Sequence, residues 1–142
     1  MSKIFIGAQY LLALAILTQI YLAGFAASSF DNPVVAFETH RDFGHMIVGL
    51  ALVVLLLAFV ARVPRRLIGL STLSVGLIVA QMLLGMTNEN VTTTSQVMIG
   101  IHAINALAIM GVIVQSIYQT HNHLRAKTKQ SPSETVNAMS QA

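Results

Sequence analysis

Apolar residues fill four stretches of the chain, at about 4–27, 43–61, 67–86 and 97–118, separated by polar breaks. Each stretch is about 20 residues, the length at which a helix rising 1.5 Å per residue crosses a hydrocarbon core of ~30 Å. Backbone groups in lipid must be satisfied within their own segment, so the stretches predict helices rather than strands. The first break, 28–42, opens with Ser28, Ser29, Asp31, Asn32 and Pro33, a turn-forming cluster. The second, Arg62-Val63-Pro64-Arg65-Arg66, predicts a tight hairpin, and the third, 87–95, ends in Thr93, Thr94 and Ser95, candidate caps for the next helix. Connections of this kind favour antiparallel neighbours. The predicted fold is an all-α, transmembrane four-helix up-and-down bundle over residues 1–120. Residues 121–142 are polar and lack hydrophobic periodicity, and they read as a mobile tail.

Composition strengthens this reading. Of 142 residues, 55% are hydrophobic and 9% charged, where a soluble domain would carry roughly a quarter charged residues. The net charge of +3 is explained by topology and implies no nucleic-acid partner. Lys3, Arg62, Arg65, Arg66, Arg125, Lys127 and Lys129, seven of the eight Lys and Arg residues, fall on one side of the predicted bundle. Arg41 falls on the other, beside Asp31, Glu38 and Asp42. The positive-inside rule then places both termini in the cytoplasm and the chain in the inner (plasma) membrane. Lys3, the apolar run and Ala26-Ala27-Ser28 resemble a cleavable signal, but the run exceeds the usual 7–15 residues, so an uncleaved first helix is expected. Cysteine is absent, which excludes disulfides, thiolate metal sites and covalent haem attachment.

Against this background the histidines stand out. His40 and His45 open the second segment and His102 lies early in the fourth. In an up-and-down bundle the second and fourth helices run the same way, so all three imidazoles lie near the outer face. The two helices are diagonal neighbours, with axes roughly 11–14 Å apart if adjacent axes are 8–10 Å apart. Two imidazoles can span such a gap with a metal between them, and ionisable groups at membrane depth mark functional sites. Haem iron, held by two axial histidines, is the cofactor this layer predicts, with a b-type haem as the non-covalent form. Taken singly, His40 and His45 read more readily as solvated residues at a helix end, and the deeper His102 reads less readily so; two helices offering a histidine at the same side is the stronger signal. The His121-x-His123 pair reads as part of the polar tail.

Spacing leaves the first ligand open. His45 lies 17 residues from Arg62 and His102 lies 16 from Tyr118, a depth match that favours His45, whereas His40 lies 22 from Arg62. Gly44, Gly49, Ala106 and Gly111 keep the facing surfaces low enough for a flat ring, as they would for close helix packing. Gln81 and Asn105 are the inward polar groups that could bond an imidazole N–H or tie helices together. Arg41 is either an interfacial cation or the partner of an acidic group such as a haem propionate.

The stretch His40-Arg41-x-x-Gly44, the apolar helix and Arg-rich turn after it, Gln81-x-x-Leu84-Gly85 and His102 resemble one half of haem A synthase. They resemble more closely a family of uncharacterised small bacterial four-helix membrane proteins. These share a His-Arg pair, a Pro-Arg-Arg turn, a helix-three Gln and a His-x-x-Asn-Ala-Leu element, here His102-Ala103-Ile104-Asn105-Ala106-Leu107. The resemblance spans about residues 20–115 and implies His40 and His102 as the axial pair, against the depth match. The chain is half the length of the synthase, Glu38 stands two rather than three positions before His40, and the first outer loop has no cysteine pair. Oxidation of a haem methyl group is therefore a poor expectation, and plain haem binding is retained. The expected function is a membrane protein binding one b-type haem near the outer face, for electron transfer or haem handling. The alternatives are a colourless structural or accessory subunit and a half-sized haem-modifying oxidase. The lipid bilayer is the expected environment, with a homodimer or larger membrane complex permitted by small-residue faces (Gly69, Ser71, Ser74, Gly76; Gly100, Ala103).

Overall fold

The computed structural model describes residues 2–29, 33–85 and 93–139, with side chains over 3–29, 35–85 and 93–128. Four helices, α1 (Ser2–Ala27), α2 (Pro33–Val60), α3 (Arg65–Gly85) and α4 (Thr93–Met139), account for nearly all of it, and no strand occurs among the described residues. Each helix is long and apolar enough to cross a membrane. Successive helices pack as neighbours and α1 closes the ring against α4, leaving α2 and α4 on one diagonal and α1 and α3 on the other. This is the expected all-α up-and-down bundle, and the chain is a multi-pass membrane protein.

Helix ends depart from the hydropathy reading in two places. α2 starts at Pro33, ten residues before the expected 43. Proline suits a first helical turn, where the missing N–H has no partner to lose, and Glu38, His40, Arg41 and Asp42 are polar without being helix breakers. Hydropathy marks where lipid begins, not where the helix begins. α4 likewise continues through the segment read as a polar tail, as far as Met139. At 47 residues it is ~70 Å long, over twice the hydrocarbon thickness of ~30 Å. Its polar extension is rich in good helix formers such as Arg125, Ala126 and Lys127. α4 begins at Thr93, so Thr94 and Ser95 sit inside its first turn. Asp31 and Asn32 of the first expected turn, Met86, the connection through 92, and residues 140–142 lie outside the described residues.

The α2–α3 hairpin is the predicted tight turn, built as a Schellman motif. The Val63 N–H donates to the Ala58 carbonyl at 3.2 Å and the Arg62 N–H to Phe59 at 3.0 Å. Arg62 holds the left-handed position with φ 49°, which costs a side-chain-bearing residue ~1 kcal/mol or more. Arg62→Gly is expected to raise the unfolding temperature in detergent by a few degrees, read by circular dichroism.

Buried positions recur along each helix at alternating steps of four and three, giving stacked layers with one residue per helix. From the end that carries the α1–α2 connection these are Ile16, Ile47, Ile78 and Ile109; Leu12, Ala51, Ser74 and Ile113; Gln9, Val54, Ser71 and Ser116; and Phe5, Ala58, Leu67 and Thr120. In the third layer Gln9 Nε2 donates to Ser116 Oγ at 2.6 Å, tying α1 to α4. Just below, Tyr10 Oη meets His121 Nε2 at 2.8 Å, so His121 is engaged by α1. The opposite surfaces are apolar and bare: Leu56, Ile104 and Leu107 are each more than half exposed, the faces on which acyl chains pack.

The layers also reveal an internal duplication. Each layer position in α1 and α2 maps onto one in α3 and α4 by a single step of 62 residues. The same step superposes Ile16, Gln19 and Leu22 on Ile78, Gln81 and Leu84, and His40, Ile47 and Gly49 on His102, Ile109 and Gly111. The two helical hairpins therefore repeat one pattern of buried positions, related by a pseudo-twofold axis along the bundle.

Candidate functional site

The isoleucine layer floors a cavity of about 1140 Å³ on the side of the α1–α2 connection. Its upper wall carries Gln19 from α1, His40, Arg41 and His45 from α2, Gln81 and Gly85 from α3, and His102 from α4. His40 and His102 each lie seven residues, about two turns, outward of their layer isoleucine. The duplication thus sets them at equal depth on diagonal helices, and their ring centres are 6.3 Å apart with the planes inclined by 53°. Two imidazole nitrogens each at ~2.0 Å from one metal, with ~1.1 Å from nitrogen to ring centre, place the ring centres about 6.2 Å apart.

His40 is held on two sides by α1. Its Nδ1 lies 3.2 Å from the Gln19 backbone carbonyl, and the Gln19 side-chain Nε2 donates to the His40 carbonyl at 2.7 Å. The same amide nitrogen lies 3.3 Å from His40 Nε2. The backbone carbonyl fixes which way the Gln19 amide points, since only its nitrogen can donate there. The network therefore puts the His40 proton on Nδ1 and leaves Nε2 as an acceptor facing the Gln19 amide, a lone pair that could ligate a metal only once that amide is displaced. Gly44 makes room for this clamp, because a Cβ there would stand 3.1 Å from Gln19 Nε2. Phe37 closes the outer side of His40 edge to face, with ring centres 5.9 Å apart.

The α4 side repeats the scheme with one change. Gln81 Nε2 donates to the His102 carbonyl at 2.9 Å, and the Gln81 backbone neighbours the imidazole, yet the buried His102 Nδ1 makes no well-formed hydrogen bond among the described residues. Gly85 opens the space for the ring, whose Cε1 would lie 3.5 Å from a Cβ at that position. Asn105 Nδ2 donates to Gln81 Oε1 at 2.7 Å and to the Leu77 carbonyl at 2.9 Å. Of the two roles open to Gln81 and Asn105 from sequence, the structure gives interhelical ties, and neither side chain bonds an imidazole nitrogen.

His45 lines the same cavity but is exposed, and its Nδ1 sits 2.8 Å from the Arg41 carbonyl of its own helix. Its counterpart one repeat on is Leu107, so no imidazole mirrors it from α4. The depth match that favoured His45 fails because it counted from the inner ends of helices whose inner lengths differ. Counted from the shared isoleucine layer, His40 is the partner of His102. Arg41 lines the rim on the α2 side only, Ala103 taking its place in the repeat. Gln19 escaped the sequence reading although its signal was present: a Gln 21 residues before a His, twice.

The fold and site together define a four-helix membrane protein with two imidazoles converging on a common cavity. Residues 19–88 match a family described as "Family of unknown function (DUF6220)". That match takes in Gln19, His40, Arg41, His45 and Gln81 and stops before His102. No curated protein and no solved structure matches the chain, and nothing in these comparisons links it to haem A synthase.

Proposed function

We propose that this protein binds one b-type haem between His40 and His102, near the outer face of the bacterial inner membrane, with both termini cytoplasmic. The observation that carries the reading is the pair of diagonal imidazoles 6.3 Å apart at one depth. Among the described residues no cluster of three or more His, Cys, Asp or Glu side chains occurs. A bare transition metal needs about four ligands, whereas a porphyrin brings four nitrogens of its own and asks the protein only for axial ones. The pseudo-twofold axis suits a flat ligand with two equivalent faces, each meeting one histidine. Gly85 and Gly44 keep the two flanks clear, and Arg41 at the outer rim is placed to pair with a carboxylate such as a propionate.

Held between His40 and His102, a haem would supply one-electron exchange between ferric and ferrous iron. The protein's own part is to fix the tautomer of His40, exclude water through the isoleucine floor and hold the carboxylate side at the outer surface. Electron transfer or haem handling are the roles that follow. The resemblance of these motifs to one half of haem A synthase supports a haem site without supplying that enzyme's chemistry.

The test is to express the chain in a haem-replete host, purify it in mild detergent and record its reduced-minus-oxidised spectrum. A sharp α band with one haem per chain is expected. A protein that stays colourless after haem is added would overturn the reading and leave a structural or accessory subunit.

A further inference from the structure

We infer that Gln19 and Gln81 are a duplicated pair of positioning residues, each holding one imidazole toward the cavity from the neighbouring helix. This rests on the haem reading and assigns a positioning role to two glutamines of the cavity wall. In both hairpins the glutamine side chain donates to the backbone carbonyl of the histidine 21 positions later, at 2.7 Å for His40 and 2.9 Å for His102. In the first hairpin the bond is reciprocal, because the Gln19 backbone carbonyl also accepts from His40 Nδ1.

Two helices in lipid gain little from burying apolar surface against each other, so interhelical hydrogen bonds and close packing set their register. A tie between the glutamine side chain and the histidine backbone therefore fixes the height of the imidazole as well as its rotation. The duplication is an independent reason to assign the role. Most paired positions carry different residues, within the layers as well as outside them, Arg41 and Ala103 or His45 and Leu107 among them, while Gln and His recur together.

The two clamps are not equal. Asn105 occupies the Gln81 Oε1, but Phe43 stands at the matching place in the first hairpin, and the buried Gln19 Oε1 has no hydrogen-bond partner among the described residues. Gln81 is thus locked to its own hairpin, whereas Gln19 is held only through His40. His40 consequently depends more on its glutamine than His102 does.

Methionine copies the shape of glutamine and cannot donate. The full chain in detergent would be compared with Gln19→Met and Gln81→Met. Haem affinity would be read by titrating haem into haem-free protein, and axial-ligand orientation by electron paramagnetic resonance of the ferric form. Both variants are expected to bind haem about 10–100-fold more weakly, the usual cost of losing a partner behind a metal ligand, with Gln19→Met the weaker of the two and its g-values shifted. Nitrogen NMR of ¹⁵N-histidine-labelled, haem-free protein supplies a readout that needs no cofactor, with the His40 Nε2 signal expected to move in Gln19→Met. Unchanged affinity, g-values and Nε2 signal would overturn the assignment while leaving the haem site standing. If the wild-type chain takes up no haem, that reading fails by itself, and the His40 nitrogen signal alone decides whether Gln19 holds the imidazole.

Discussion

Replacing His102 or His40 with alanine is expected to abolish the haem spectrum, while His45→Ala leaves the α band in place. On the proposed site each of the first two would remove one of the two imidazoles that meet at matched depth on α2 and α4, the ring centres being 6.3 Å apart. Losing an outer-shell partner costs about 10–100-fold in affinity, so losing the ligand itself should cost more than ~100-fold. Affinity measured by haem titration, with thermal unfolding as a control for folding, checks this. His45 cannot substitute, because its Nδ1 engages the Arg41 carbonyl on its own helix and its position is nearly one and a half turns away from His40. A chain that kept its α band without His40 and lost it without His45 would reverse the assignment of the first ligand.

The second large effect is expected at a residue with no side chain. A Cβ on Gly85 would lie 3.5 Å from Cε1 and 3.8 Å from Nδ1 of His102, ordinary contact, so Gly85→Ala should bind haem within a few-fold of wild type. Gly85→Val adds two γ-carbons, on a side chain with little rotational freedom in a helix, to a Cβ already in contact with the imidazole. Overpacking of this kind costs ~1–3 kcal/mol, which lowers haem affinity by roughly one to two orders of magnitude or turns the ring off axis. A graded loss from glycine through alanine to valine, with the helical circular dichroism spectrum unchanged, is the expected pattern. Equal affinity in all three proteins would mean that Gly85 does not set the position of His102.

Much of this was written plainly in the chain. Four uninterrupted apolar runs predicted four helices, and the hairpin at Arg62 to Arg66 was legible from its Pro and cations. The histidines were legible as candidates because so few ionisable groups enter the apolar runs. The ends of α2 and α4 were less legible, since polarity at a helix end reports water and says little about backbone conformation. The choice between His40 and His45 was obscured for the same reason: a count from the wrong helix end misjudged the depth. The 62-residue repeat was also present, but few positions outside the layers keep the same residue. It became plain only when burial picked out which positions to compare.

The sequence by itself determined that this is a helical protein for lipid, because length and apolar continuity decide whether a segment can satisfy its backbone inside a membrane. It also determined that three imidazoles lie toward one end. Only the tertiary structure decided which two of them meet, because that depends on how the diagonal helices are levelled against each other. The levelling is set by the four-isoleucine layer and by glutamine ties reaching across from α1 and α3. Those contacts join residues on different helices, and no pattern along one helix encodes them.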